Sequence, residues 1–154
     1  MYLKSHPSDE SWMRTGVFID GHVWNFLFDR KLDLAVVLPA IEWGIMHTRE
    51  AEFEIPVGKP ELDVFIRETT KRCKIQTDSL FGFADEKKPL VEQRFGGFGI
   101  GRWAHPDEVV FLASQRASHA KRPTKLQKHE ADISLAARSF HSVVLTLDRR
   151  SAPL

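Results

Sequence analysis

Four carboxylates in this sequence lie at the ends of predicted strands or at the starts of the helices that follow them. They are Asp20, Glu54, Asp132 and Asp148, and Glu50 lies four residues before Glu54. In an open parallel sheet the carboxyl ends of the strands meet at one edge, where ligand sites gather. Carboxylates packed together repel one another and would not all stay ionised alone. A hard cation resolves this conflict, and ligand sets made only of oxygen suit Mg²⁺ or Mn²⁺.

A basic stretch precedes the third of these acids. No Asp or Glu occurs from Val109 to His129, whereas Lys121, Arg122, Lys125 and Lys128 all lie in that interval. Such a stretch attracts a polyanion, and a metal ion beside it can activate water and stabilise charge on a phosphodiester. The acidic pocket and its basic approach together predict a metal-dependent nuclease.

The elements that carry these residues follow from apolar spacing. Residues 17–20 predict a strand that ends at Asp20, followed by a helix over 22–29 with Val23, Phe26 and Leu27 inward. Two interpretations of Asp20 stay open, a helix N-cap and a metal ligand. Residues 129–148 predict a helix that carries Asp132 on its first turn and then a strand covered on both faces. The remaining predicted elements are a buried helix over 32–41, a strand over 43–48, a helix over 61–72, a helix over 108–118 with Val109, Leu112 and Ala113 inward, and a loop over 121–128.

Three further acids carry competing interpretations. If the segment after residue 48 is helical, Glu50 and Glu54 lie on one face, and which of them serves the metal stays open. Glu52 is interpreted as a solvated acid. Glu130 is an additional site acid or a helix-start acid that complements the helix dipole.

Residues 75–103 are rich in aromatic residues and glycine, and we interpret them as an insertion. The glycine run lacks both the Gly-Lys-Ser/Thr ending of a phosphate loop and the dinucleotide-binding spacing. A base-stacking platform is one hypothesis and ordinary core packing is the other. The residues concerned are Phe81, Phe83, Phe95 and Phe98.

Length and composition bound the classes that remain. The 154 residues fit one domain over 15–154 after a leader over 1–14 that we expect to be flexible. The single Cys73 excludes an internal disulfide framework and a cysteine-rich zinc site. Neither a secretory signal nor a run of about 20 apolar residues occurs, which predicts a cytoplasmic protein without a membrane segment.

The same residues resemble the PIN-domain ribonucleases, in particular the toxin type. The resemblance rests on Phe18-Ile19-Asp20, on Thr48 with Glu54-Ile55, on the run Glu130 to Ala137 and on Val143 to Asp148. It implies a three-layer α/β/α sandwich with a mainly parallel central sheet. The chain ends six residues after Asp148, where the family continues into a further helix or strand. Three interpretations stay open: the sheet lacks its last element, the sequence is a fragment, or a partner completes the sheet.

The resemblance also implies an activity, an endoribonuclease that uses Mg²⁺ or Mn²⁺. Asp20, Glu54, Asp132 and Asp148 would then hold the metal, with Thr146 supporting the site through its hydroxyl. RNA would be the substrate and an antitoxin protein a partner, while a homodimer stays open. Two alternatives remain. One is an inactive PIN-like module that binds nucleic acid or protein; the other is the related NYN branch, suggested by residues 18–22.

Overall fold

The computed structural model describes residues 14–54, 59–82, 86, 89, 92–115, 118–121 and 127–147, with the backbone alone for 118–121 and 127–128. The strands are β1 (Thr15–Ile19), β2 (Trp43–Thr48), β3 (Gln76–Asp78), β4 (Ser118–Lys121), β5 (Gln127–Lys128) and β6 (Val143–Leu145). The α-helices are α1 (Gly21–Asp29), α2 (Leu34–Val37), α3 (Pro60–Cys73), α4 (Pro106–Ser114) and α5 (Glu130–Arg138). A 3-10 helix, Ala51–Glu54, follows β2.

The main sheet has the strand order β3-β2-β1-β6, and each neighbouring pair in it is parallel. The predicted α/β class with a parallel sheet is therefore confirmed. Val17, Phe18 and Ile19 of β1 are all at most 2% exposed. Successive side chains of a strand point to opposite faces, so β1 is covered on both sides, which explains its continuous apolar run.

The core lies between this sheet and the first helices. Val23, Trp24 and Leu27 of α1 and Leu62 and Ile66 of α3 join the buried strand residues. Phe26 was expected to point inward, but it is 40% exposed, and Trp24, at 4%, takes that place.

The predicted strand near the C-terminus exists but is not covered on both faces. It is shorter than expected, ending at Leu145, and it forms one edge of the described sheet. Val143 is accordingly 45% exposed.

The predicted buried helix over 32–41 is wrong, because α2 is a single turn. Only its first residue, Leu34, is buried, whereas Val36 and Ile41 are 75% and 83% exposed. Leu38 leaves the helical conformation, with φ −128° and ψ 84°. A residue before proline is disfavoured in the helical region, so Pro39 ends the helix here.

The predicted helix over 108–118 also ends early, and of the three residues expected inward only Leu112 is half-buried. It stops at Ser114, and residues 118–121 form β4, which pairs antiparallel with β5. Val109 is 53% exposed and Ala113 is exposed, while Glu108 is 1% exposed. The carboxylate of Glu108 binds Arg102, and this ion pair, rather than apolar burial, orients α4.

The chain continues beyond β3 into close backbone packing with the glycine-rich segment. Isolated parallel bridges join Leu80 to Arg102 and Phe81 to Gly96. A β-carbon added to Gly101 would lie 2.5 Å from the Gly96 carbonyl oxygen and 2.7 Å from the Phe81 Cα atom. Glycine is required at residue 101 because backbone atoms, which cannot move aside, occupy the space.

Among the residues described, no helix combines the length and the apolar character needed to cross a bilayer.

We expect Gly101→Ala to lower the free energy of unfolding by about 1–3 kcal/mol, because the added methyl group overpacks against backbone. Gly97→Ala is the matched control, since a β-carbon there meets no atom within 4 Å. Urea unfolding followed by circular dichroism measures both. Equal stability of the two variants would contradict the close packing.

Candidate functional site

Asp20 and Thr146 meet where the strand order of the sheet reverses. From β1 the chain adds β2 and β3 on one side, and β6 then lies on the other side of β1. Ligands bind outside the carboxyl ends of the strands at such a switch point. The Asp20 N–H donates to the Leu145 carbonyl at 3.0 Å, and Thr146 Oγ1 donates to Asp20 Oδ2 at 2.7 Å. The structure therefore brings these two predicted site residues into direct contact.

The Asp20 side chain does not cap α1. Asp20 occupies the N-cap position directly before α1, and its backbone carbonyl accepts the Val23 N–H at 3.0 Å. Its carboxylate makes no capping hydrogen bond. Asp20 is thus the N-cap residue of α1 by position, as one of its two interpretations expected, but its carboxylate accepts from Thr146 at the switch point.

Glu54 reaches Gly21, the residue after Asp20, whereas Glu50 points elsewhere. A β-carbon built on Gly21 would lie 3.7 Å from Glu54 Oε2, so this carboxylate reaches the residue after Asp20. Glu50 instead accepts a hydrogen bond of 2.6 Å from Ser134 Oγ on α5. The segment that ends at Glu54 is a 3-10 helix, which has three residues per turn. Two residues four apart therefore do not lie on one face, as they would in an α-helix.

The start of α5 carries Asp132 and Glu130 in different surroundings. Asp132 is exposed and forms a hydrogen bond of 3.2 Å with Nδ1 of His129, whose φ is 61°. Glu130 Oε1 accepts from Arg94 Nε at 2.7 Å, and the Arg94 guanidinium lies 4.2 Å from the Phe53 ring centroid. Glu130 is thus the ion-pair partner of residue 94.

The predicted metal ligands are only partly assembled in what is described. Glu54 reaches Gly21, the residue after Asp20, Asp132 lies on the exposed first turn of α5, and Asp148 falls outside the described residues. Across the ranges that the structure describes, no group of three or more His, Cys, Asp or Glu is placed to hold a metal ion. The carboxylates of Asp20 and Glu54 are hard oxygen ligands, the kind that Mg²⁺ and Mn²⁺ take.

The predicted basic residues fall on and between the two short antiparallel strands. Lys121 ends β4 and Lys128 ends β5. Arg122 and Lys125 lie in 122–126, outside the described residues.

A series of four linked charges, three of them buried and Arg102 34% exposed, was missed by the sequence reasoning. We call it the charge chain, and it comprises Arg138, Asp78, Arg102 and Glu108. Asp78 ends β3 and accepts from Arg138 Nε at 2.9 Å and from Arg102 Nε at 2.7 Å. Arg102 then donates through both terminal nitrogens to Glu108, at 2.7 and 2.6 Å. The side chains of Asp78, Glu108 and Arg138 are at most 8% exposed.

The charge chain is connected to the candidate site through α5. Arg138 Nη1 donates to Ser134 Oγ at 2.9 Å, and Ser134 Oγ donates onward to Glu50. The helix that carries Asp132 is thereby bound to the ends of β2 and β3. A weak sequence signal existed, because Asp78 is another acid at the end of a short strand, at the same edge of the sheet.

Burial and hydrogen bonds oppose one another at two of these acids. Burial alone would raise the pKa of Glu108, but the Arg102 guanidinium and the His105 N–H lower it below its usual range. Burial would likewise raise the pKa of Glu52, but hydrogen bonds from His47, Thr77 and Arg49 lower it to about 2. Glu52 is 25% exposed, so its interpretation as a solvated acid is wrong.

Removing Arg138 should be costly, because it leaves a buried oxygen of Asp78 without its donor, while Arg102 still binds the other oxygen. We expect Arg138→Leu to lower the free energy of unfolding by about 1–3 kcal/mol, the cost of a buried acceptor left unsatisfied. Arg67→Leu is the control, since the Arg67–Asp63 pair on α3 is exposed at 70% and 46%, and it should cost less than about 1 kcal/mol. Similar losses in the two variants, measured by urea unfolding, would refute a buried chain.

The lowered pKa of Glu52 predicts a specific acid sensitivity. Above about pH 4.5 the residue is ionised in both the folded and the unfolded chain, so its contribution to stability is complete. As the pH falls toward 2, the unfolded chain takes up the proton first and the contribution is lost. Between pH 5 and pH 2 we therefore expect Glu52→Gln to lose less stability than the wild type, by thermal unfolding. Glu68→Gln, at an exposed position of α3, should follow the wild type, and parallel curves for all three proteins would contradict the assignment.

Comparison of the chain with known protein families, with characterised proteins and with solved structures finds no match.

Proposed function

We propose that this chain is a metal-dependent endoribonuclease of PIN-like architecture. The observation that carries the proposal is the contact of Asp20 with Thr146 at the switch point, with the Glu54 carboxylate near Gly21. The Asp20 carboxylate accepts a hydroxyl at a strand end and makes no side-chain cap of α1, which supports a role as a ligand. The resemblance to PIN-domain ribonucleases, noted in the sequence, supports the same assignment.

Asp20, Glu54, Asp132 and Asp148 would hold Mg²⁺ or Mn²⁺, directly or through water. When bound, such an ion supplies activated water and stabilises the charge that develops on the phosphodiester. Thr146 orients the Asp20 carboxylate through its hydroxyl, at 2.7 Å. Outer hydrogen bonds of this kind fix the direction of a metal ligand.

The charge chain has a positioning role in this proposal. It binds α5 to β3 through Arg138 and Asp78, and to the segment after β2 through Ser134 and Glu50. Asp132 on α5 and Glu54 after β2 are thereby carried by segments that are joined to each other. Glu50 serves this scaffold, and Glu54 serves the metal.

The proposal includes the three-layer arrangement. Helices α1 and α2 each pack against α3, and α4 packs against α5. Connections between parallel strands are almost always right-handed. The chain moves from β1 to β2 and β3 in one direction and reaches β6 in the other, so this rule would place the two groups of helices on opposite faces of the sheet.

The substrate and partners follow from the basic stretch and from the resemblance. Lys121, Arg122, Lys125 and Lys128 would attract the phosphates of RNA. By resemblance, the protein would act in the cytoplasm as the toxin of a toxin–antitoxin pair, with an antitoxin protein as its partner.

Asp20→Asn tests the proposal with little change in side-chain shape. We expect the rate of single-stranded RNA cleavage in Mn²⁺ to fall by more than about 100-fold. Loss of a residue that only supports a metal ligand costs about 10- to 100-fold, and Asp20 is proposed as a ligand itself. Thr146→Val should reduce cleavage by about 10- to 100-fold, since it removes the hydroxyl that orients Asp20. Asp63→Asn on α3 is the matched control and should cleave at the wild-type rate.

Chelation should abolish wild-type cleavage, and circular dichroism should show all variants folded. Cleavage at the wild-type rate by Asp20→Asn, or by the wild-type protein in excess chelator, would contradict the proposal. Absence of cleavage in the wild-type protein would favour the alternative, a regulatory module whose acids serve as charge partners.

A further inference from the structure

Three aromatic rings form an exposed group on the segment that follows β3. The Phe81 ring centroid lies 4.9 Å from that of Phe98 and 4.5 Å from that of Trp103, with tilted planes. Phe98 is 86% exposed and Trp103 is 75% exposed. We call these three side chains the aromatic platform. Single exposed apolar residues are ordinary, but a contiguous exposed group of large rings indicates a binding surface.

Backbone contacts hold the platform in place. The Phe81 N–H donates to the Arg102 carbonyl, next to Trp103, and Phe81 bridges to Gly96. Gly101 packs against the Phe81 backbone so closely that a β-carbon would not fit. The rings are thus presented by fixed backbone.

The platform lies at the same edge of the sheet as the candidate site. Phe81 follows Asp78, the last residue of β3, and Asp20 and Thr146 follow the parallel strands β1 and β6. Arg94, from the same glycine-rich segment, reaches Glu130 at the start of α5. This segment therefore extends from the platform to the helix that carries Asp132.

The sequence that follows the platform is basic. From Val109 to His129 no acidic residue occurs. Arg94 and Arg102 are held in ion pairs with Glu130, Asp78 and Glu108, and the further basic residues up to residue 128 are Arg116, Lys121, Arg122, Lys125 and Lys128. Aromatic rings that stack on bases, combined with positive charge that follows the backbone, are the two components of single-strand binding.

We propose that the aromatic platform binds a single strand of nucleic acid by stacking bases on Phe98 and Trp103. That this strand is the one cleaved at the carboxylates rests on the proposed function. The π-faces, rather than apolar area alone, carry the binding, so the neighbouring Ile100, which is 79% exposed, contributes little. A protein partner would use Ile100 together with the rings, because aliphatic side chains bury apolar area equally well.

The test measures fluorescence anisotropy of a labelled RNA strand about 12 nucleotides long, with the wild-type protein in chelator so that no cleavage occurs. We expect Phe98→Ala and Trp103→Ala each to weaken binding by about 5- to 150-fold, the loss of one stacked base. Trp103→Phe should retain most of the affinity, and Ile100→Ala should match the wild type. A duplex of the same sequence should bind more weakly.

Wild-type affinity in both alanine variants would overturn the proposal, as would an equal loss in Ile100→Ala. The proposal would also be overturned if the wild-type protein bound no strand and the alanine variants differed from it in oligomeric state by sedimentation. That result would identify a protein interface instead. Cleavage of the same strand in Mn²⁺ separates this proposal from the nuclease proposal. Platform-dependent binding without cleavage refutes the nuclease alone, and cleavage with platform-independent binding refutes the platform alone.

Discussion

Asp78 joins the separate parts of this molecule through one carboxylate. Its two oxygens accept from guanidinium groups on α5 and on the glycine-rich segment, and Arg102 passes the contact on to α4 through Glu108. Charges buried this deeply are expensive unless each one is paired and hydrogen-bonded. Any arrangement that separated these segments would leave a charge unpaired, so the helix of Asp132, the end of β3 and the base of the platform are held together.

The strand order alone positions two residues of the candidate site. Asp20 and Thr146 directly follow β1 and β6, which are neighbours in the sheet, so both lie at the switch point. The short 3-10 helix after β2 then separates the roles of two glutamates four residues apart, turning Glu54 toward Gly21 and Glu50 toward Ser134. The acids near this edge thus divide into those facing the switch point and those that stabilise its supports.

The sequence predicted those parts of the fold in which local pattern and global packing agree. The bounds of β2 and the approximate positions of β1, α3 and α5 followed from apolar runs and helical spacing. The prediction of α4 failed because an ion pair outweighed its apolar face, burying Glu108 and exposing Val109. The prediction of α2 failed because Pro39 disfavours the helical conformation at Leu38, so the helix ends at Val37 and not near Ile41.

The same distinction applies to the site. Asp20 was predicted because it ends a strand whose apolar pattern is strong, and Thr146 because the resemblance to PIN-domain ribonucleases implied a supporting hydroxyl there. The charge chain was not, since Asp78 lies 24 residues from Arg102 and 60 from Arg138 in sequence. No periodicity links residues so far apart, and only the folded chain shows that they meet.

Binding of Mn²⁺ tests the central claim most directly, because it measures the carboxylates themselves and needs no substrate. Calorimetric titration of the wild-type protein should show a saturable site that Asp20→Asn and Glu54→Gln each weaken strongly. Asp63→Asn and Glu50→Gln should leave the metal affinity close to that of the wild type wherever circular dichroism shows them folded. The absence of a saturable site in the wild-type protein, or wild-type affinity in Asp20→Asn, would contradict a metal centre at the switch point.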